Sequence, residues 1–177
     1  PFAHMVPNGA MSAALIEAVG PLVEVVAPAE ITGFDGEGPL ARLGLAGGRI
    51  LSAPLVVAAD GRQSLLRRLA GIGTGSWDYR QSGIVATIGH ALDHENTAYE
   101  HFRPAGPFAS LPLHDAEGRG LRSSLVWTEA PDAATRLCAM RAEELAAIIE
   151  AVMGSTLGQV TLEDAPQAFP LHLQIAR

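Results

Sequence analysis

Apolar positions Met11, Ala14, Leu15, Ala18 and Val19 recur at helical spacing behind Asn8, a good N-cap residue, and Gly20-Pro21 closes the run. Short β-type runs follow at Val23 to Ala27, Glu30 to Phe34 and Leu40 to Leu45, punctuated by Asp35-Gly36 and Gly47-Gly48. Arg49 to Ser52 pairs with Leu40 to Leu45 across the Gly-Gly turn. The continuous apolar run Leu55-Val56-Val57-Ala58-Ala59 reads as a strand buried on both faces, ended abruptly by Asp60-Gly61. Gln63 to Ala70 then reads as a short helix closed by Gly71.

A Gly-rich break from Gly71 to Gly75 changes the pattern. Gly83 to His90, Thr97 to Phe102, Phe108 to Leu113 and Leu121 to Thr128 predict strands of a largely antiparallel sheet, with turns at Pro104 to Pro107 and Asp115 to Gly120. Arg141 to Met153 predicts a helix that buries Leu145, Ile148, Ile149 and Val152, turns Glu143, Glu144 and Glu150 to water, and stops at Gly154. Gln167 to Leu173 is a last β-type stretch. The fold class is α+β, and the break near Gly73 is the expected lobe boundary.

Composition narrows the function classes. The chain has 177 residues, 48% of them hydrophobic and 18% charged, which favours a packed globule over disorder. Its formal net charge is −7, and the nearest thing to a basic cluster, Arg62, Arg67 and Arg68, reads as a solvated helix face. That leaves no dense basic surface for nucleic-acid phosphates. Cys138 is the one cysteine, so an internal disulfide is excluded and a reducing, cytoplasmic compartment is expected. No apolar run approaches the ~20 residues needed to cross a bilayer.

Candidate chemistry is sparse. A strand ending in Asp60-Gly61 would point a carboxylate into the crevice where open α/β sheets bind ligands, and Gly61 lets the backbone turn with positive φ. The Asp suits a ribose hydroxyl or backbone N–H groups, not a phosphate. The dipeptide alone also fits a plain turn. His90 and His94 stand four apart, with His101 nearby, which is ligand spacing only if one helix face carries the pair. No Gly-x-Ser-x-Gly elbow is present, so a serine hydrolase is unsupported.

The segment Leu55-Val56-Val57-Ala58-Ala59-Asp60-Gly61-Arg62-Gln63-Ser64 resembles the Asp-Gly motif of flavoprotein aromatic hydroxylases, the p-hydroxybenzoate hydroxylase class. Gly83 to Ile88, Glu100 to Leu113, Ser124 to Trp127 and Phe169-Pro170-Leu171 resemble, in the same order, the ubiquinone-biosynthesis branch of that class. The resemblance implies an α/β parent that uses FAD and NAD(P)H to hydroxylate a polyprenylated phenol. It assigns residues 1–75 to a partial FAD-binding lobe and 76–177 to a substrate-binding sheet lobe. Asp60 and Gly61 would bind cofactor, with Arg62 and Ser64 as further candidates; no catalytic residue and no metal ligand is implied. Asn8 falls where many relatives of the class carry arginine, and helix capping is its simpler role.

Two further flavin motifs of the class are not found. One is the amino-terminal Gly-x-Gly-x-x-Gly, which Gly71 to Ser76 does not satisfy; the other is a Gly-Asp segment near the carboxyl end. The chain is therefore expected to be an internal fragment that is inactive by itself and retains no FAD. Thr87, Phe102, Leu111, Pro112 and Trp127 lie on strands matching the family's substrate wall, each also readable as core. Expected partners are the phenol substrate, the face of the inner membrane, and further copies of the chain through exposed apolar surface. Two rivals remain: a stand-alone module binding a hydrophobic ligand, and a metal enzyme using His90, His94 and His101.

Overall fold

The computed structural model describes residues 3–115, 118 and 120–177. Helix α1 (Asn8–Val19) runs into a single 3-10 turn at Gly20–Leu22. Strands β1 (Ile31–Asp35), β2 (Ala41–Leu45) and β3 (Ile50–Ala53) form an antiparallel meander in that order. The expected pairing across Gly47-Gly48 is present, with Leu43 opposite Leu51, and both glycines take positive φ. Short helix α2 (Leu65–Leu69) follows.

Strand β4 (Thr74–His90) begins inside the Gly-rich stretch and continues for 17 residues. With β5 (Tyr99–Arg103), β6 (Gly106–Leu113), β7 (Arg122–Glu129) and β8 (Val160–Leu162) it makes a sheet of order β5-β6-β7-β4-β8, and β9 (Gln167–Ala176) also pairs with β4. The four strands predicted from Gly83 onward are all found and pair antiparallel. The expected turn from Asp115 to Gly120 lies partly outside the described residues, although the Asp115 carboxylate accepts a hydrogen bond from the Gly120 N–H. Helices α3 (Pro131–Cys138) and α4 (Ala142–Met153) complete the chain.

Two units emerge. One comprises Pro1–Met11 and Asp78–His172, the other Ser12–Trp77 and Leu173–Arg177. In the first, α3 and α4 close over one face of the sheet, burying Ile84, Ile88, Phe108, Leu125, Trp127, Leu145 and Ile149 in one cluster. Alternation along the strands puts these residues on a common face, so hydrophobic burial fixes register as well as fold. In the second, only Leu45, Leu66 and Ser64 are buried among the described residues.

Three expectations need correction. Leu55 to Ala59 forms no strand: Leu55 is 76% and Val57 75% exposed. An apolar run becomes a buried strand only when neighbouring strands satisfy its backbone, and none pairs with it here. Val23 to Ala27 is likewise irregular. Helix α1 has the spacing of a packed helix yet buries none of its side chains. Among the described residues no helix is long and apolar enough to cross a membrane.

Candidate functional site

The local geometry of Asp60 follows from the short helix beside it. Gly61 turns the chain with φ +82°, and open space surrounds the position where a Cβ would sit. The chain then re-enters at Ser64, whose N–H donates to the Gly61 carbonyl at 3.1 Å. Ser64 is the N-cap of α2: its hydroxyl accepts the Arg67 N–H at 2.9 Å. The same hydroxyl donates to Asp60 Oδ1 at 2.5 Å, and the Leu66 N–H donates to Oδ2 at 3.1 Å. These bonds, the Ser64 one foremost, hold the Asp60 carboxyl below the usual carboxylate range. Asp60 itself is exposed. The side chain that looked available for a ligand thus also stitches the turn to the helix.

Beside this corner lies a cavity of about 460 Å³ within the second unit. Gly61 and Ser64 line it together with Phe34 of β1, Val56, Ala58, Leu66, Ala70 and Ile72. Arg67 is the charged residue of the lining. Its Nη2 donates to the Arg62 carbonyl at 2.8 Å, while its Nε is buried with no hydrogen-bond partner. Arg67 thus brings a guanidinium, a fixed charge with several N–H donors, to the wall of the cavity, which suits an anionic oxygen.

Of the predicted cofactor residues, the structure brings Asp60, Gly61 and Ser64 to one corner. The exposed Arg62 contributes its carbonyl to Arg67 instead of a side chain to the cavity. Arg67, grouped by sequence with Arg62 and Arg68 as a solvated face, is half-buried, whereas Arg68 is exposed. The overlooked signal is spacing. A residue three after a serine N-cap has its amide on the cap and its side chain beside it.

The other expected residues separate clearly. Trp127, 2% exposed, packs edge-on against Phe108 at 5.3 Å and donates its Nε1–H to Glu129, so it is core. The Thr87 N–H and hydroxyl both bond Asp164, each at 2.8 Å. Leu111 and Pro112 are half-buried, and Phe102 is exposed. His90 bonds the Leu92 carbonyl through Nδ1 and the Ser123 hydroxyl through Nε2. His94 donates Nε2–H to the Leu113 carbonyl and accepts the Asn96 N–H at Nδ1. Among the described residues no three metal-ligating side chains converge, so the pair and His101 do not assemble a site. Burial pushes the Cys138 thiol up, away from reactivity.

No protein-family model matches the chain. Ubiquinone hydroxylase UbiL of Rhodospirillum rubrum is 39% identical over 99% of this chain and 40% of its own length. The 3-demethoxyubiquinol 3-hydroxylase of Escherichia coli is 35% identical over 95% of this chain and 42% of its own length. The flavin-dependent monooxygenase PieE, solved in complex with FAD and substrate, superposes with a TM-score of 0.65 at 14% identity, covering 97% of this chain and 31% of that one. The chain spans about 40% of the length of the curated relatives it matches. It is a homologue of a segment of the ubiquinone-biosynthesis hydroxylases, with the fold of the matching part of flavin-dependent monooxygenases.

Proposed function

We propose that this chain is part of an FAD- and NAD(P)H-dependent monooxygenase that hydroxylates a polyprenylated phenol in ubiquinone biosynthesis. The observation that carries the reading is the cavity beside Asp60 and Gly61, whose lining includes the half-buried Arg67. Those residues fit a dinucleotide. Gly61 leaves room for close backbone approach, Asp60 keeps lone pairs for sugar hydroxyls, and Arg67 offers charge to a phosphate.

Bound flavin, reduced by nicotinamide, would supply the oxygen-activating chemistry. The residues of this chain hold and orient. Ser64 fixes Asp60, Asp60 and Gly61 shape the corner, and Arg67 neutralises negative charge.

The 177 residues by themselves are proposed not to turn over and to bind FAD weakly or not at all. Exposed Leu15, Ile16, Leu22, Leu55 and Val57 then favour self-association. A prenyl tail that partitions into lipid implies a cytoplasmic protein working at the face of the inner membrane. The test is turnover by a full-length protein containing this segment, supplied with FAD, NADH or NADPH, oxygen and a short-chain prenylphenol. Hydroxylated product in proportion to nicotinamide oxidised is expected. Nicotinamide oxidation without any hydroxylated phenol would refute the reading.

A further inference from the structure

The loop between β4 and β5 is built around a buried imidazole. His94, 9% exposed, donates Nε2–H to the Leu113 carbonyl of β6 at 3.3 Å and accepts the Asn96 N–H at Nδ1 at 3.1 Å. The Asp93 carboxylate accepts the Glu95 N–H at 2.7 Å, and the Thr97 N–H donates to the His94 carbonyl at 2.7 Å. Glu95 and Asn96 both take positive φ, +49° and +55°. Asparagine adopts that region readily and glutamate seldom, so hydrogen bonds hold the turn there. Its base is fixed separately, by the Ala91 and Leu92 N–H groups on the Gln159 and Leu157 carbonyls, each at 3.0 Å.

These partners suit one protonation state of the ring. A carbonyl on one nitrogen and an N–H on the other match neutral imidazole with its hydrogen on Nε2. A second proton, on Nδ1, finds the Asn96 amide in its way, and that amide is a donor that cannot turn to accept. His90, whose ring centre is 5.5 Å away, differs. Its Nδ1–H donates to the Leu92 carbonyl, and its Nε2 faces the Ser123 hydroxyl, which can rotate from donor to acceptor. Of two neighbouring histidines, one can take a proton within its existing bonds and the other cannot.

We propose that His94 is a pH-sensitive latch that releases the turn between β4 and β5 when its Nδ1 is protonated. The new Nδ1–H drives out the Asn96 N–H and turns to Asp93 Oδ1, 3.4 Å away, which the Glu95 N–H occupies in the closed turn. One brace on the two positive-φ residues is then lost and the other shared. Residues 93–97 relax while the anchors at Ala91 and Leu92 stay. The closed turn binds fewer protons, so it belongs to higher pH and the open turn to lower pH. Besides Asp93 and His90, the charged and titratable groups of the surroundings come from the β6–β7 side. Arg122, opposite Leu113 in the register, is held by Glu163; the Asp115 carboxylate accepts the Gly120 N–H; His114 is exposed.

The test is hydrogen exchange, read peptide by peptide by mass spectrometry, on the full-length protein carrying this segment. It runs from about pH 8 to about pH 5, the range in which histidine changes charge. After correction for the intrinsic pH dependence of exchange, protection of residues 93–97 falls about ten-fold or more, while β4 and β7 keep theirs. His94→Asn supplies an acceptor for the amide two residues on and does not titrate, so its protection stays flat. His90→Gln keeps the wild-type fall. A flat wild type, a fall that survives in His94→Asn, or one abolished by His90→Gln would overturn the latch. If His94→Asn does not fold, nitrogen NMR of histidine-labelled wild type decides. Nδ1 of His94 must gain its proton over the same pH interval in which protection is lost, and separate intervals overturn the proposal.

Discussion

The Ser64 hydroxyl donates to the Asp60 carboxylate at 2.5 Å while accepting the Arg67 amide at 2.9 Å, so one side chain caps a helix and anchors the acidic corner. Ser64→Ala removes both bonds. The lost cap alone costs about 1 kcal/mol, and Ser64→Thr, which keeps the hydroxyl, recovers most of it. Urea unfolding of the three proteins checks the ranking. Equal midpoints for serine and alanine would show that the hydroxyl does not support the corner.

The pH dependence follows from the same bonds. The Asp60 carboxyl is lower in the folded chain than in the unfolded one, chiefly through Ser64 and then the Leu66 amide. Its stabilising contribution is fully present above the unfolded value of about 3.9 and disappears as pH falls through the folded one. Asp60→Asn lacks that dependence, so its stability falls less steeply on acidification. Parallel acid-unfolding curves for the two proteins would contradict this, and a carboxyl NMR titration of Asp60 gives the direction directly.

Among the described residues of the first unit, Arg122 and Glu163 form the tightest shielded ion pair. Arg122 Nε contacts both carboxylate oxygens, at 2.9 and 2.8 Å, and Nη2 lies 2.7 Å from Oε2. Hydrogen bonding to Glu163 raises Arg122 further above its already high value, so it stays charged throughout the working pH range. Glu163→Leu strands that charge and is expected to cost about 3–5 kcal/mol. The double change Arg122→Met with Glu163→Leu recovers most of the loss. Denaturant midpoints for both variants and the wild type decide it.

Gly106→Ala probes the turn between β5 and β6, where Gly106 lies against Thr128 of β7. Its φ of +135° is disfavoured for alanine, and the added Cβ would meet Thr128. Strain of about 1–3 kcal/mol is expected before the contact is counted. Gly38→Ala, at φ +99° and with nothing within 4 Å, carries backbone strain without a contact.

How far the sequence carried the reading depends on where each residue finds its partners. Strands β2 and β3 were legible because Gly47-Gly48 and the flanking apolar positions are local signals, and α4 because Leu145 and Ile149 recur at helical spacing. Leu55 to Ala59 misled, since a run of that kind states a preference for burial and cannot supply the strands that would bury it. Helix α3 was missed although Pro131 is a good first helical residue, because it is barely two turns long and its core-facing positions, Ala134, Leu137 and Cys138, are too few to show a period. At the candidate site, Asp60, Gly61 and Ser64 were singled out by pattern, and the local hydrogen bonds bring them to one corner. Arg67 was not, because its burial comes from a cavity whose walls include Phe34, more than thirty positions upstream. Long-range packing of that kind leaves no periodic trace.

The most direct measurement is FAD affinity, read by flavin fluorescence, for a full-length protein carrying this segment, compared between wild type and Asp60→Ala. Stoichiometric binding by the wild type and at least a ten-fold weaker Kd for the variant, with the sheet of the first unit still folded by circular dichroism, is the expected result. Indistinguishable affinities would mean that the corner built by Asp60, Gly61 and Ser64 takes no part in holding the dinucleotide.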